Sequence, residues 1–372
     1  MATAGLFYVN IMAAIVDGLV SGLGFTDGQA GNVASANIYG AAIGALAAIF
    51  LVERVNWRVS ATILLLTLIA IDLASIFVAS PAFMVAIRLL HGMAGGLLVG
   101  ISYAVIARTG NADRIFGILL FVQFGLGGLG VMTLPRLVPI YGAQALFLAL
   151  TLFSLVTLIM LPFLDRYRAK KEDSATAVAP IAWKPLLLTL AAIFLFQAAN
   201  MALLAYIIRL GIDFGLERDY VSTALGLATW VALAGPGVVI VLGLKFGRFK
   251  PLALVMLLTL AGTAAFLYSA DPVIYLLANC GTGITWGMVM AYLLGMAAQF
   301  DATGRTAAAA GFVSKMGLAS GPLVAGQILS GGFGFATLIW MAFALLAISM
   351  AVMLIPARML DRQQSDISGS IA

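Results

Sequence analysis

The sequence predicts an all-α polytopic membrane protein of twelve transmembrane helices arranged as two six-helix pseudo-repeats. Three observations predict it. Of 372 residues, 63 % are hydrophobic and only 9 % charged, whereas a soluble chain carries about a quarter charged residues. The apolar residues fall in long runs rather than in the alternating pattern of a barrel strand. A single sequence offset also lays the second half of the chain on the first.

Apolar runs of about 20 residues, bounded by charge, Gly/Pro clusters or turns, give the spans in order. They are 5–24, 32–52, 59–78, 81–107, 115–135, 142–164, 185–208, 220–244, 251–269, 272–298, 306–330 and 334–356. The segment from Met1 to Asn10 has neither the basic n-region nor the small-residue site of a cleaved leader, and reads as the start of a retained span. The longest polar interval, Asp165 to Lys184, divides the spans six and six. The expected organisation is a bundle over 1–164, a cytoplasmic linker over 165–184, a second bundle over 185–357 and a cytoplasmic tail over 358–372.

Charge sets the orientation. With both termini inside, fifteen Lys and Arg residues fall in inner loops and tail, including Arg54, Arg58, Arg108, Lys245, Arg248 and Arg358. The outer loops hold three, Arg136, Arg209 and Arg218. Basic residues accumulate on the cytoplasmic side of membrane proteins, so the chain is expected in a cell membrane of the bacterial inner-membrane type with both ends cytoplasmic. The same reading assigns the net charge of +5 to topology rather than to nucleic acid.

The halves are related by a shift of 191 residues, which places Pro81 on Pro272, Gly92 on Gly283, Gly96 on Gly287, Gly44 on Gly235, Arg114 on Arg305 and Gly130 on Gly321. Parallel repeats of this kind are a hallmark of one large transporter architecture. One cysteine, Cys280, excludes an intrachain disulfide, and one histidine with one cysteine argues against a metal site, a cofactor or an embedded enzyme. Gly125 to Gly130 matches G-x-G-x-x-G but lies in an apolar span without a preceding strand, so dinucleotide binding fails on context. The G-x-x-x-G spacings at Gly40/Gly44, Gly92/Gly96 and Gly96/Gly100 predict close packing or hinges.

The loop Glu53-Arg54-Val55-Asn56-Trp57-Arg58 is similar to the acidic-basic-x-Gly-Arg-Arg signature of the major facilitator superfamily, with Asn56 and Trp57 as departures. The matching loop, Lys245 to Lys250, keeps Gly247 and Arg248 but lacks the acid. Arg88-Leu-Leu-His91-Gly92 resembles the family's fourth-span motif. Gly125 to Gly130 with Pro135 does not reproduce the antiporter signature of the fifth span, while Ser320-Gly321-Pro322 with Gly326 is related to it. With twelve spans and a central basic loop, the chain resembles this superfamily of secondary transporters over nearly its whole length. The resemblance implies a cavity lined by spans one, four, seven and ten, with help from five and eleven, and gating loops at Glu53, Arg54, Arg58, Lys245, Gly247 and Arg248.

Five ionisable side chains fall well inside spans: Asp17, Asp72, Arg88, His91 and Lys315. A charge near the bilayer centre costs about 2.5–3.5 kcal/mol on insertion scales, so each needs a partner, water or a task. At about 1.5 Å rise per residue, Asp17 and Arg88 share a level, with His91 and Lys315 near the midplane. Asp17 opposite Arg88 then resembles the proton-coupling pair of proton-driven family members; the bland reading is a static ion pair between spans one and four. His91 is a second protonation candidate, or a packed ring with one hydrogen bond. Lys315, present in one repeat only, points to contact with an anionic substrate, or to a pair with Asp17 or Asp72. Asp72 itself reads as a buried, hydrogen-bonded acid behind spans one or four. Arg88, Gln123, Gln197, Asn200 and Asn279 complete the substrate candidates, although uncharged groups of this kind also bond neighbouring helices.

The functional expectation is a monomeric alternating-access transporter performing proton-coupled uptake of a small organic anion or other metabolite. Two alternatives stand beside it: a proton-antiport exporter of drugs or metabolites, and a non-transporting membrane sensor. The short linker and tail disfavour the sensor.

Overall fold

The computed structural model describes residues 1–52, 54–107, 112–164, 182–243, 245–300 and 305–371. Among them there are helices and no strand. The first span is broken: α1 (Ala2–Asn10) and α2 (Met12–Leu23) meet at Ile11 with a bend of 55°. Then follow α3 (Asp27–Leu51), α4 (Trp57–Ser75), α5 (Pro81–Ala107), α6 (Ala112–Tyr141) and α7 (Gln144–Met160). The second half holds α8 (Trp183–Asp213), α9 (Arg218–Val231), α10 (Ala234–Leu242), α11 (Phe249–Ala265), α12 (Pro272–Gln299), α13 (Arg305–Ser330) and α14 (Gly334–Ile371). With each broken span taken as one, these are the twelve expected. The expected linker core at 165–181, Glu53 and Arg108 lie outside the described residues.

Local chemistry sets the boundaries. Thr26 and Gln29 form a capping box at the start of α3, with each side chain taking the other's backbone N–H at 3.2 and 3.0 Å. Asn56 caps α4, and Asp271 caps α12 with Pro272 in the first turn, where its missing N–H costs nothing. Gly24 ends α2 at φ +70°, a left-handed conformation that favours glycine. The eighth span, expected as one piece over 220–244, breaks between α9 and α10. Pro236 lacks an amide N–H and its ring crowds the carbonyl of Ala232, one turn earlier. The last helix continues from the span through the expected tail to Ile371.

Small residues set how closely the helices approach. A methyl group added at Gly40 or Gly44 of α3 would lie 2.1 Å from the Leu89 carbonyl oxygen or 2.0 Å from that of Met93, both on α5. The same addition at Gly92 or Gly96 of α5 would meet the carbonyls of Asn37 and Ala41 at 1.9 and 2.1 Å. Lipid tails are as apolar as leucine, so such backbone contact is a principal source of helix association in a bilayer. The expected packing role of these glycines holds. The repeat is visible here too: Gly44 against Met93 recurs as Gly235 against Ile284, with a methyl-to-oxygen approach of 2.2 Å, and Gly92 against Asn37 recurs as Gly283 against Ala228.

Among the described residues, ten spans are long and apolar enough to cross a membrane, counting α9–α10 as one, and the bent α1–α2 pair makes eleven. The remaining span, α13, eleventh in order, falls outside that set; it carries Lys315, three serines and several glycines. It packs against α3 and α8 between the two halves, where a lipid-like surface is not required.

Candidate functional site

Three groups of polar side chains lie inside the bundle. The first explains the buried arginine. Arg88 and Asp72 are both fully buried, and Arg88 Nη1 donates to Asp72 Oδ1 at 2.7 Å while Nη2 donates to Ser75 Oγ. The guanidinium lies over Phe147 at 4.8 Å and Tyr8 at 5.8 Å. His91 Nε2 is 3.3 Å from the same carboxylate oxygen. Asn37 Nδ2 donates to the Arg88 carbonyl at 3.2 Å and approaches His91 Nδ1 at 2.8 Å. The ring is thus held from both sides, by Asn37 at Nδ1 and by Asp72 at Nε2.

The expected Asp17–Arg88 pair therefore does not form. Equal depth does not make two side chains face each other, and Arg88 turns away from the centre of the bundle toward α4. Asp72 is the buried acid it was expected to be, and it serves Arg88. In the second half the corresponding positions are Thr263, Asn279 and Thr282, so the cluster is a feature of one repeat. Arg88 and His91 are not brought to the substrate candidates either.

The second group clasps the halves at the end that the charge bias places outside. Asp17 of α2, 1 % exposed, pairs with Arg218 at the start of α9. Asp27 of α3 pairs with Arg209 of α8 at 2.7 Å, and its backbone oxygen accepts from Tyr206 Oη at 2.6 Å. Asp219 of α9 pairs with Arg136 of α6 at 3.3 Å. All three arginines counted outside on charge grounds thus meet an acid of the opposite half. Around them, Ser330 Oγ accepts from the Gly28 amide at 2.6 Å, Tyr39 and Ser320 share a hydroxyl bond of 2.9 Å, and Trp230 Nε1 donates to the Gly125 carbonyl at 3.1 Å. Close packing accompanies them: a methyl on Gly31 would sit 2.3 Å from the Pro322 carbonyl oxygen, and one on Gly128 would sit 2.4 Å from the Trp230 indole nitrogen. The three ion pairs and the Gly28–Ser330 and Gly31–Pro322 contacts lie in the outer part of their helices, with Tyr39–Ser320 and Trp230–Gly125 nearer mid-depth, so the bundle is closed at its outer end. The clasp was missed in the sequence, where the only signal was an acid near the outer end of each opposed helix.

The three pairs differ in worth. The Asp219 side chain is 78 % exposed, and exposed pairs contribute about 0–1 kcal/mol. Asp17 is different. Among the described residues its Oδ1 has no hydrogen-bond partner, and its charge is balanced across the interface by Arg218. Removing one partner of a buried pair costs about 3–5 kcal/mol, because the remaining charge is stranded.

The third group lies between the halves at mid-depth. On the first half, Asn10 and Gln123 bond each other, Gln123 Nε2 donating to Asn10 Oδ1 at 3.1 Å beside the break in span one. On the second, Gln197 Nε2 donates to Ser314 Oγ and Trp286 Nε1 donates to Gln197 Oε1, both at 2.8 Å. The Phe124 and Trp286 rings approach across the interface with centroids 6.5 Å apart. Lys315, next to Ser314 and half-buried, has no acid or hydrogen-bond partner among the described residues. Asn200 and Asn279 instead donate to the carbonyls of Phe196 and Tyr275 one turn back in their own helices, both at 2.8 Å. The group gathers one cation, three amides and an indole at mid-depth.

A closed outer end, a polar middle and two repeated halves are the parts of an alternating-access carrier. Residues 1–322 match the family model of the Major Facilitator Superfamily. The chain belongs to the major facilitator superfamily. Solved members share its fold: a D-xylose–proton symporter superposes with a TM-score of 0.71 at 14 % identity, covering 95 % of each chain. A nucleoside transporter superposes with a TM-score of 0.68 at 14 % identity, covering 96 % of each chain. No curated protein matches the sequence.

At the inner end, the superfamily loop residues behave differently in the two halves. Arg54 is exposed, and Arg58 lies over the ring of its neighbour Trp57 at 5.4 Å. Lys245 is exposed, whereas the Arg248 and Phe249 amides donate to the Asp361 carboxylate at 2.8 to 2.9 Å. Arg248 Nη1 is 3.7 Å from the same group. Gly247 has φ +69°, and a methyl there would lie 2.6 Å from Asp361. The acid missing from the second loop is thus supplied by α14.

Proposed function

We propose that the protein is a proton-coupled carrier that takes up a small organic anion across the cell membrane, its two halves rocking about the mid-depth polar group. The observation that carries this reading is the Asp17–Arg218 pair. Opening the outer end separates the two, which would strand a carboxylate that is 1 % exposed. A proton on Asp17 removes that charge and frees Arg218, so protonation and outer opening favour one another. Asp17 keeps the coupling role expected of it, with Arg218 in place of Arg88 and His91.

Lys315 is the proposed anchor for the substrate's negative charge, with Gln123, Gln197 and Trp286 supplying hydrogen bonds. A half-buried cation with no acid partner among the described residues is matched by an anionic solute, and charge-assisted bonds are about twice as strong as neutral ones. The test is uptake of a labelled metabolite panel into proteoliposomes with and without an inward proton gradient. Gradient-driven accumulation of a carboxylate or phosphate compound is expected. Accumulation of neutral solutes alone would overturn the anion assignment, and indifference to the gradient would overturn the coupling.

A further inference from the structure

At the inner end, where α14 crosses the start of α11, a groove of about 340 Å³ is lined by Phe249, Leu354, Ile355, Arg358, Met359 and Arg362. Its composition changes with depth. Leu354, Ile355 and Met359 belong to the last apolar turns of the span, and Ile355 and Met359 are 50 % and 40 % exposed. Exposed Ile348 and Leu254 lie further toward the midplane on the same two helices. Arg358 and Arg362 follow one and two turns beyond Leu354, and the Arg358 guanidinium sits 5.8 Å over the Phe249 ring. Asp361, the acid beside them, is turned to the Arg248 and Phe249 amides and to the Arg248 side chain. Lys250 adds an exposed cation at the foot of α11.

We propose that this groove binds an anionic phospholipid, its phosphate held by Arg358 and Arg362 and its acyl chains laid on Leu354, Ile355 and Met359. An apolar wall that passes into two guanidiniums at the level where the span ends matches a lipid in both charge and depth. Basic recesses between helices on the cytoplasmic side suit such headgroups, and each basic side chain near the surface adds appreciably to binding. A soluble anion would gain nothing from the apolar wall. The occupant would lie against the Asp361 clamp on the loop 245–250, and so tie the inner end of α11 to α14.

The test uses the delipidated full chain, titrated with phosphatidylglycerol or phosphatidylcholine and followed by native mass spectrometry. Phosphatidylglycerol is expected to be retained over phosphatidylcholine, and the Arg358→Gln/Arg362→Gln variant to bind it roughly thirtyfold more weakly. Arg54→Gln, at the other inner loop, is expected to bind as wild type. Independently of any variant, a photoactivatable phosphatidylglycerol is expected to label residues 349–363 of the wild-type protein. Equal binding by the double variant, or labelling elsewhere, would overturn the proposal. Displacement of the lipid by soluble glycerophosphate at equal concentration would overturn it in favour of a plain anion site.

Discussion

Asp17 and Arg218 join the first half of the chain to the second across the closed outer end, and the carboxylate is buried while the guanidinium side chain is 26 % exposed. The asymmetry matters. The arginine can reach water when the halves part, and the acid must either be hydrated by the opening itself or take a proton. On the proposed reading the pair is both a latch and a place where proton and arginine compete.

Lys315→Ala tests the substrate anchor. A lost hydrogen bond to a charged group costs about 1.5–3 kcal/mol, so KM for the anionic substrate should rise roughly ten- to hundredfold. Gradient dependence should remain. Unchanged KM in proteoliposome uptake would remove Lys315 from the site.

The Arg88–Asp72 cluster should behave as a strut. Arg88→Gln or Asp72→Asn alone strands one buried charge and is expected to cost about 3–5 kcal/mol, seen as a lower thermal midpoint in detergent. The double variant should be more stable than the sum of the single losses predicts, because neither charge is then left alone. Folded variants should keep their response to a proton gradient. A stable Arg88→Gln protein that transports but ignores the gradient would return Arg88 to the coupling role.

The outer glycines should limit closure. A methyl on Gly31 meets the Pro322 oxygen at 2.3 Å, and one on Gly326 meets the Tyr206 hydroxyl at 2.6 Å. Gly31→Val is expected to hold the outer end apart and raise labelling of Ser320→Cys by an impermeant maleimide added outside, in a Cys280→Ser background. Labelling at the wild-type level would show that this contact does not limit closure.

The spans were legible because a bilayer imposes length and hydropathy directly, and the repeat because backbone contact at Gly44 and Gly235 admits only the smallest residues. Span one's break was not, since neither Pro nor Gly stands at Ile11; the tie between Asn10 and Gln123 beside it becomes visible only when both helices are in place. Depth along a helix could be counted from the sequence, which put Asp17 and Arg88 at one level. Rotation about the helix axis could not, and it is rotation that gives Arg88 to Asp72 and Asp17 to Arg218. Arg136, Arg209 and Arg218 were informative as topology markers, but the acids that meet them come from the opposite half, 83 to 201 residues away in sequence. The Asp361 clamp on Arg248 was hidden in the same way, because its acid lies in a polar tail 113 residues from the arginine.

The central claim is that Asp17 carries the coupling proton, and Asp17→Asn is its most direct measurement. In proteoliposomes loaded and diluted to impose an inward proton gradient, wild-type protein should accumulate substrate above equilibrium. Asp17→Asn should lose that accumulation yet still exchange labelled for unlabelled substrate across the membrane, because the neutral amide leaves the halves free to rock. Gradient-driven accumulation by Asp17→Asn at the wild-type level would contradict the account.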